Sequence, residues 1–197
     1  LQEIKTVDEG FPKAEFEALG YNVETHGQKS WNGVALLSKL PFDEVHRGLA
    51  GNDEDEQARL IEGVFSVAGG IVRVCNIYLP NGNPVDTEKF PYKLGWMDRL
   101  NRFVAERLEL EEPFVLMGDF NCGPDAPEMQ ALFRQTRLAP PSEVVATFPS
   151  WAPKRALDHI LASEPLIADA PRAFPAARSD HLAIALDLKV PLRAIGA

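Results

Sequence analysis

Short apolar runs bounded by turn residues recur along the chain and read as strands. Residues 60–67 and 71–78 are two such runs, and Ala68-Gly69-Gly70 between them predicts a tight hairpin. Residues 21–25, 33–38, 114–118, 157–161 and 182–188 are shorter runs of the same kind, too brief and too closely flanked by breakers for helices. Helical spacing appears in three places. Residues 11–19 carry Pro12 where a first turn accepts it and Gly20 where a helix stops. In residues 92–110, Leu94, Met97, Leu100, Val104 and Leu108 recur every three or four positions, as on one buried face. A short helix is expected at 129–133. Many strands at hairpin spacing with a few helices between them predict an α+β fold, most simply two packed sheets with helices outside. No repeat, low-complexity tract or linker divides the chain, so residues 1–197 are expected to form a single domain.

Composition changes this picture little. The 197 residues suffice for one real core, and 45% hydrophobic with 25% charged residues is ordinary for a globular protein. No apolar segment approaches the roughly 20 residues that span a bilayer, and no signal segment opens the chain, so a cytoplasmic location without membrane contact is expected. Cys75 and Cys122 adjoin strand sequence and read as buried free thiols. The net charge of −9 argues against a nucleic-acid partner. That argument is weakened by the run Asn52-Asp53-Glu54-Asp55-Glu56, which collects several negatives in one predicted loop, and by the acidic residues that a cation would neutralise. Leu1-Gln2-Glu3 reads as the tail of a buried strand without its beginning, which suggests a fragment or processed form.

Chemistry is concentrated where strands meet loops. Gly118-Asp119-Phe120-Asn121 closes one apolar run and Ser179-Asp180-His181 opens another. Asp119 and Asn121, two apart on an extended chain, face the same side; the plainer reading is an Asx turn closing the strand. Asp158 lies between Leu157 and Ile160-Leu161, and a buried carboxylate needs a partner. His181 is the candidate, because a carboxylate on one ring nitrogen aims the other at a substrate and favours the imidazolium. His159 is expected at a surface or strand edge. Glu3 taken alone is a solvated charge, and Tyr78 taken alone is a packing aromatic. Together the residues suit metal-assisted attack on a phosphate ester.

In this order, Gln2-Glu3, Gly118-Asp119-Phe120-Asn121, Leu157-Asp158-His159 and Ser179-Asp180-His181 resemble the endonuclease/exonuclease/phosphatase superfamily. The N-terminal part is most similar to the exonuclease III family of abasic-site endonucleases and 3′-exonucleases. The matching stretches there are Leu1-Gln2-Glu3-Ile4-Lys5, His26-Gly27-Gln28-Lys29, Gly33-Val34-Ala35-Leu36-Leu37-Ser38 and Asn76-Ile77-Tyr78-Leu79-Pro80-Asn81-Gly82. The resemblance implies a four-layer αββα sandwich that here lacks its opening strand and helix. It implies Mg²⁺, or Mn²⁺ in its place, held by Glu3 and Asp180. It implies that Tyr78 contacts the scissile phosphate, that Asp119 deprotonates the attacking water with Asn121 holding it, and that Asp158 pairs with His181, which stabilises the phosphorane. Lys5, Gln28, Lys29 and Arg59 are expected near the strand being cut, with Phe148 and Trp151 stacking on the substrate or simply packing. The implied function is a metal-dependent DNA phosphodiesterase for repair, a monomer acting on duplex DNA at abasic sites or 3′ ends. Residues 122–128 and 147–151 look more like other superfamily members, and the segment between Asn121 and Asp158 is short for exonuclease III. A phosphodiesterase or phosphatase with a smaller substrate, or a catalytically silent binding domain, are the alternatives.

Overall fold

The computed structural model describes residues 1–136, 138, 143–176 and 178–191. After a 3₁₀ turn at Asp8–Gly10 come α1 (Lys13–Ala18), β1 (Asn22–His26), β2 (Val34–Ser38), β3 (Glu44–Arg47), β4 (Leu60–Val67) and β5 (Gly70–Tyr78). They are followed by α2 (Lys89–Leu108), β6 (Phe114–Asp119), α3 (Pro127–Gln135), β7 (Asp158–Ala162), β8 (Ile167–Ala168), β9 (Arg172–Phe174), β10 (Ala183–Ala185) and β11 (Leu188–Lys189). Among the described residues the main sheet has five strands in the order β3-β4-β5-β6-β7, and β1-β2, β9-β10 and β8-β11 form antiparallel pairs.

The layering follows from which side chains share a face. Leu60 and Ile61 are adjacent and both fully buried, yet they enter different clusters. Leu60, Cys75, Ile77 and Leu116 meet Trp96, Leu100 and Val104 of α2 and Met129 and Leu132 of α3. On the opposite face Ile61 and Val74 meet Val34 and Leu36 of β2. The far side of β1-β2 packs Val23 and Ala35 against Phe11 and Phe16, next to and within α1. The order is therefore helix, sheet, sheet, helix, and central strands covered on both faces explain the near-continuous apolar runs. Each fully buried Leu or Ile contributes roughly 1.5–3 kcal/mol.

Three expectations are corrected. Leu94 lies 42% exposed, because the buried stripe of α2 is centred on Lys93, Trp96, Leu100 and Phe103-Val104, with Leu94 on its flank. The single strand expected over 182–188 is two short strands, β10 and β11, which pair with different partners. His159 lies on β7, the last strand in the order of the main sheet, yet not at the surface: it is 4% exposed, its Nε2 is 2.9 Å from the Cys122 carbonyl, and its ring meets Phe120 edge-on. Burial lowers its pKa. Cys75 and Cys122 are free and buried. Among the described residues no helix is long and apolar enough to cross a membrane.

Two buried ionic clusters fix α2 to the sheet and to α3. Glu62 of β4 is fully buried and accepts Arg107 Nε at 2.9 and 3.0 Å, with Arg73 Nη1 at 3.8 Å. Lys93 pairs with Glu128 of α3 at 3.1 Å, and its Nζ also reaches the Asn121 carbonyl at 3.5 Å. The second cluster thus clamps the loop that leaves β6.

Candidate active site

Strand register assembles the centre of the site. β5 runs parallel to β6 with Tyr78 opposite Asp119, and β7 runs antiparallel to β6 with Asp158 opposite Asp119. Residues opposite one another on neighbouring strands share a face, so Tyr78, Asp119 and Asp158 form one row across the end of the main sheet. Gly118 permits that closeness. It has φ +145, and a Cβ there would sit 1.9 Å from the Ile77 carbonyl oxygen, so no other residue fits without moving β5.

Past Asp119 the chain turns through Asn121, at φ +51, whose backbone N–H donates to Asp119 Oδ1 at 2.8 Å. The turn read from the sequence is therefore present, and it aims the carboxylate. The Asn121 amide donates to the Leu79 carbonyl at 2.8 Å and accepts from Asn81 Nδ2 at 3.0 Å.

His181 arrives from a distant segment. A hairpin closed by Phe148 and Arg155 carries Ser150, whose N–H and hydroxyl donate to the carbonyls of Asp180 and Ser179. Leu182 N–H donates to the Thr147 carbonyl at 2.8 Å. Held in this way, His181 places Nδ1 2.8 Å from Asp158 Oδ2, an oxygen that also accepts the Thr147 hydroxyl at 2.5 Å. Phe148 packs on the imidazole with centroids 5.0 Å apart.

These groups face a cleft of about 290 Å³, whose walls include Glu3, Tyr78, Asp119, Asn121, Phe148 and Arg155 as well as Asp158, Asp180 and His181. Its electrostatics are uneven. Burial first, then the Asp158 charge, push the Asp119 pKa to about 7, against the Asn121 hydrogen bond that lowers it. The hydrogen bond to Asp158 raises the His181 pKa despite burial. Desolvation works to raise the Glu3 pKa, but hydrogen bonds from Tyr78 and Lys5 hold it low. Desolvation and the neighbouring Glu3 push the Tyr78 phenol well above its usual range, so it remains a neutral donor.

The donor set suits a hard divalent cation. Four carboxylates, from Glu3, Asp119, Asp158 and Asp180, line the cleft, and burial together with the Asp158 charge makes Asp119 reluctant to ionise. Ligand atoms of Asp119, Asp158 and His181 lie within 4.8 Å of one another. Glu3 and Asp180 line the same cleft, with Glu3 engaged by the Tyr78 hydroxyl and, at 3.0 Å, by Lys5.

The residues expected around the substrate are more scattered. Phe148 is in the cleft, whereas Trp151 projects from the hairpin tip with 76% of its surface exposed. The Gln28 amide oxygen accepts Asn32 Nδ2 and the Ala58 N–H, so it pins a loop. Arg59 lies behind Tyr78, donating to its carbonyl at 3.1 Å with the guanidinium 4.9 Å from the ring centroid. Lys29 is exposed and makes no hydrogen bond or ion pair among the described residues. Thr147, Asn81 and Arg155 had no role in the sequence reading, because only the tertiary arrangement brings them to Asp158, to Asn121 and to the cleft wall.

The model of the Endonuclease/Exonuclease/phosphatase family matches residues 1–181. Exodeoxyribonuclease III of Haemophilus influenzae is 39% identical over 125 residues, 63% of this chain and 47% of that protein, so the match spans about half the length of this curated relative. The 3′ phosphatase NExo from Neisseria, solved bound to a product DNA hairpin, is similar with a TM-score of 0.86 and 28% identity, over 96% of this chain and 87% of that one. An AP endonuclease from Archaeoglobus fulgidus gives a TM-score of 0.82 and 26% identity, over 96% and 87%.

Proposed function

Because the chain belongs to the endonuclease/exonuclease/phosphatase family, we propose that it is a divalent-metal-dependent DNA phosphodiesterase of exonuclease III type, acting at abasic sites and 3′ ends. The observation that carries the reading is the row of Tyr78, Asp119 and Asp158 across three strands, with His181 fastened to its last member. A buried base and an imidazole held by a carboxylate, facing one small cleft, suit hydrolysis of a phosphate ester.

In this mechanism Asp119, oriented by the Asn121 N–H, takes a proton from the attacking water. The Asn121 side chain has one amide hydrogen beyond its bond to Leu79 and uses it to hold that water. Water oxygen bonds to phosphorus as the bond to the leaving sugar oxygen breaks, and the leaving oxygen takes up a proton. His181, its Nδ1 occupied by Asp158, directs Nε2 at the phosphate oxygens and stabilises charge there. Tyr78, a neutral phenol whose single O–H donates to Glu3, would give that hydrogen to a phosphate oxygen when the substrate displaces the contact. Glu3 and Asp180 would hold the Mg²⁺ or Mn²⁺, which would supply Lewis-acid polarisation of the phosphate and neutralise its charge. Lys5, Lys29 and Trp151 lie on exposed surface and are assigned to the flanking DNA, while Gln28 and Arg59 shape the loop and Tyr78 behind it.

The cleft of about 290 Å³ and the net charge of −9 favour a second reading, a smaller phosphate ester as substrate. A panel decides: an abasic-site duplex, a 3′-phosphate duplex, a small phosphodiester and an inositol phosphate, each with Mg²⁺ and with chelator. The first reading expects Mg²⁺-dependent turnover highest on DNA. Faster hydrolysis of a small ester replaces it with the second, and no hydrolysis of any substrate makes the chain a binding domain.

A further inference from the structure

Among the described residues Arg155 is not paired with a carboxylate, unlike five other arginines of the chain. Arg47, Arg73, Arg99, Arg107 and Arg172 each pair with an acid. Arg155 lines a cleft that holds four carboxylates, yet its guanidinium makes no hydrogen bond or ion pair with any described residue. Its one side-chain neighbour of note is the Phe148 ring, with the centroid 6.0 Å from the guanidinium carbon. The backbone beneath it is firmly held: its carbonyl accepts the N–H groups of Thr147 and Phe148, and its own N–H donates to the Phe148 carbonyl. An unpaired, planar, permanently charged fork at the base of a braced hairpin is poised for an anion that enters from solvent.

The cations already assigned to the reaction suffice for an internal phosphodiester, which has one negative charge and two non-bridging oxygens. A terminal phosphate monoester has three such oxygens and a charge near −1.5 to −2. Arg155 is the cleft cation left over for the additional oxygen and charge. Resting on the reading under Proposed function, we infer that Arg155 is a specificity-determining residue that favours a DNA end bearing a terminal 3′-phosphate over an internal diester. In that reaction water oxygen bonds to phosphorus, the bond from phosphorus to O3′ breaks with its electron pair on O3′, one water proton passes to Asp119, and O3′ takes a proton from solvent. The products are a 3′-hydroxyl end and inorganic phosphate.

The test measures kcat/KM with Mg²⁺ for two duplexes of the same sequence, one ending in a 3′-phosphate and one containing an internal abasic site, using wild type, Arg155→Gln and Arg155→Lys. Thermal melts confirm that each variant is folded. The expected result is a fall of roughly 10- to 100-fold in the ratio of 3′-phosphate to abasic-site kcat/KM in Arg155→Gln, the worth of one charge-assisted contact. Arg155→Lys should fall between the two. Inhibition by inorganic phosphate should weaken in the same order. A ratio unchanged to within about twofold, in variants that still cut DNA, overturns the assignment of Arg155 alone. A wild-type protein that cuts neither duplex overturns the underlying DNA reading, and this inference with it.

Discussion

Replacing Asp119 by Asn should make the metal-free protein more stable at pH 8 while removing its activity. The Asp119 side chain is buried, faces Asp158 in strand register, and has one strong donor, the Asn121 N–H. Burial and the Asp158 charge move its pKa from 3.8 to about 7. A folded-state value above the unfolded one means that the fold favours the neutral acid. The stability this lends is complete below about pH 4 and lost as pH rises through 7, above which the ionised group is a net cost. At about 1.4 kcal/mol per pH unit, that cost is about 4 kcal/mol. Asn retains an oxygen for the Asn121 N–H and carries no charge, so most of the cost should vanish. With about 3 of those kcal/mol recovered, at roughly 2–4 °C per kcal/mol for a domain of this size, Tm in chelator at pH 8 should rise by about 6–12 °C. The difference should shrink toward zero by pH 4. Melting curves of the two proteins from pH 4 to 8 test this, and an Asn variant that melts no higher than wild type at pH 8, or a gap that does not close in acid, refutes the reasoning.

Asp158→Asn removes the carboxylate that raises the His181 pKa, so the His181 resonance in a histidine NMR titration should move to a lower midpoint. Turnover should then fall by about 10²-fold or more with little change in KM; an unmoved midpoint disproves the pairing. Glu128→Ala strands the buried Lys93 charge and should cost about 3–5 kcal/mol in chemical denaturation. A loss under about 1 kcal/mol would show that the pair contributes as little as a surface ion pair. Gly118→Ala should displace β5 from β6 at the Ile77 carbonyl and lower both Tm and activity, and a variant that melts and cuts like wild type contradicts the close approach.

Sheet strands covered on both faces were legible because burial on both sides writes continuous apolar runs. β4 and β5, with the Ala68-Gly69-Gly70 turn between them, lie almost where periodicity predicts. β3 escaped notice because Val45 is its only large apolar residue and it is held by main-chain pairing to β4, which leaves no side-chain signature. β8, β9 and β11 are too short to carry a period. The Asp158–His181 pair was legible from the cost of burying a lone carboxylate. The second partner of Asp158, Thr147, was not, since a lone threonine reads the same whether it faces solvent or a carboxylate. Gln28 and Arg59 have partners within the fold that the sequence does not reveal, since a polar side chain in a loop reads the same with or without a nearby amide or carbonyl.

In the proposed function, one cleft built on Asp119 and the Asp158–His181 pair hydrolyses a phosphate ester in DNA. The most direct measurement of this is the single-turnover rate on an abasic-site duplex in ¹⁸O-water with Mg²⁺, with isotope analysis of the phosphate product, for wild type, Asp119→Ala and His181→Ala. One ¹⁸O is expected in the product phosphate from wild type, with rates lower by about 10²- to 10⁴-fold in both variants and the fold intact. Rates in the variants equal to that of wild type would place the chemistry elsewhere and contradict the proposed function.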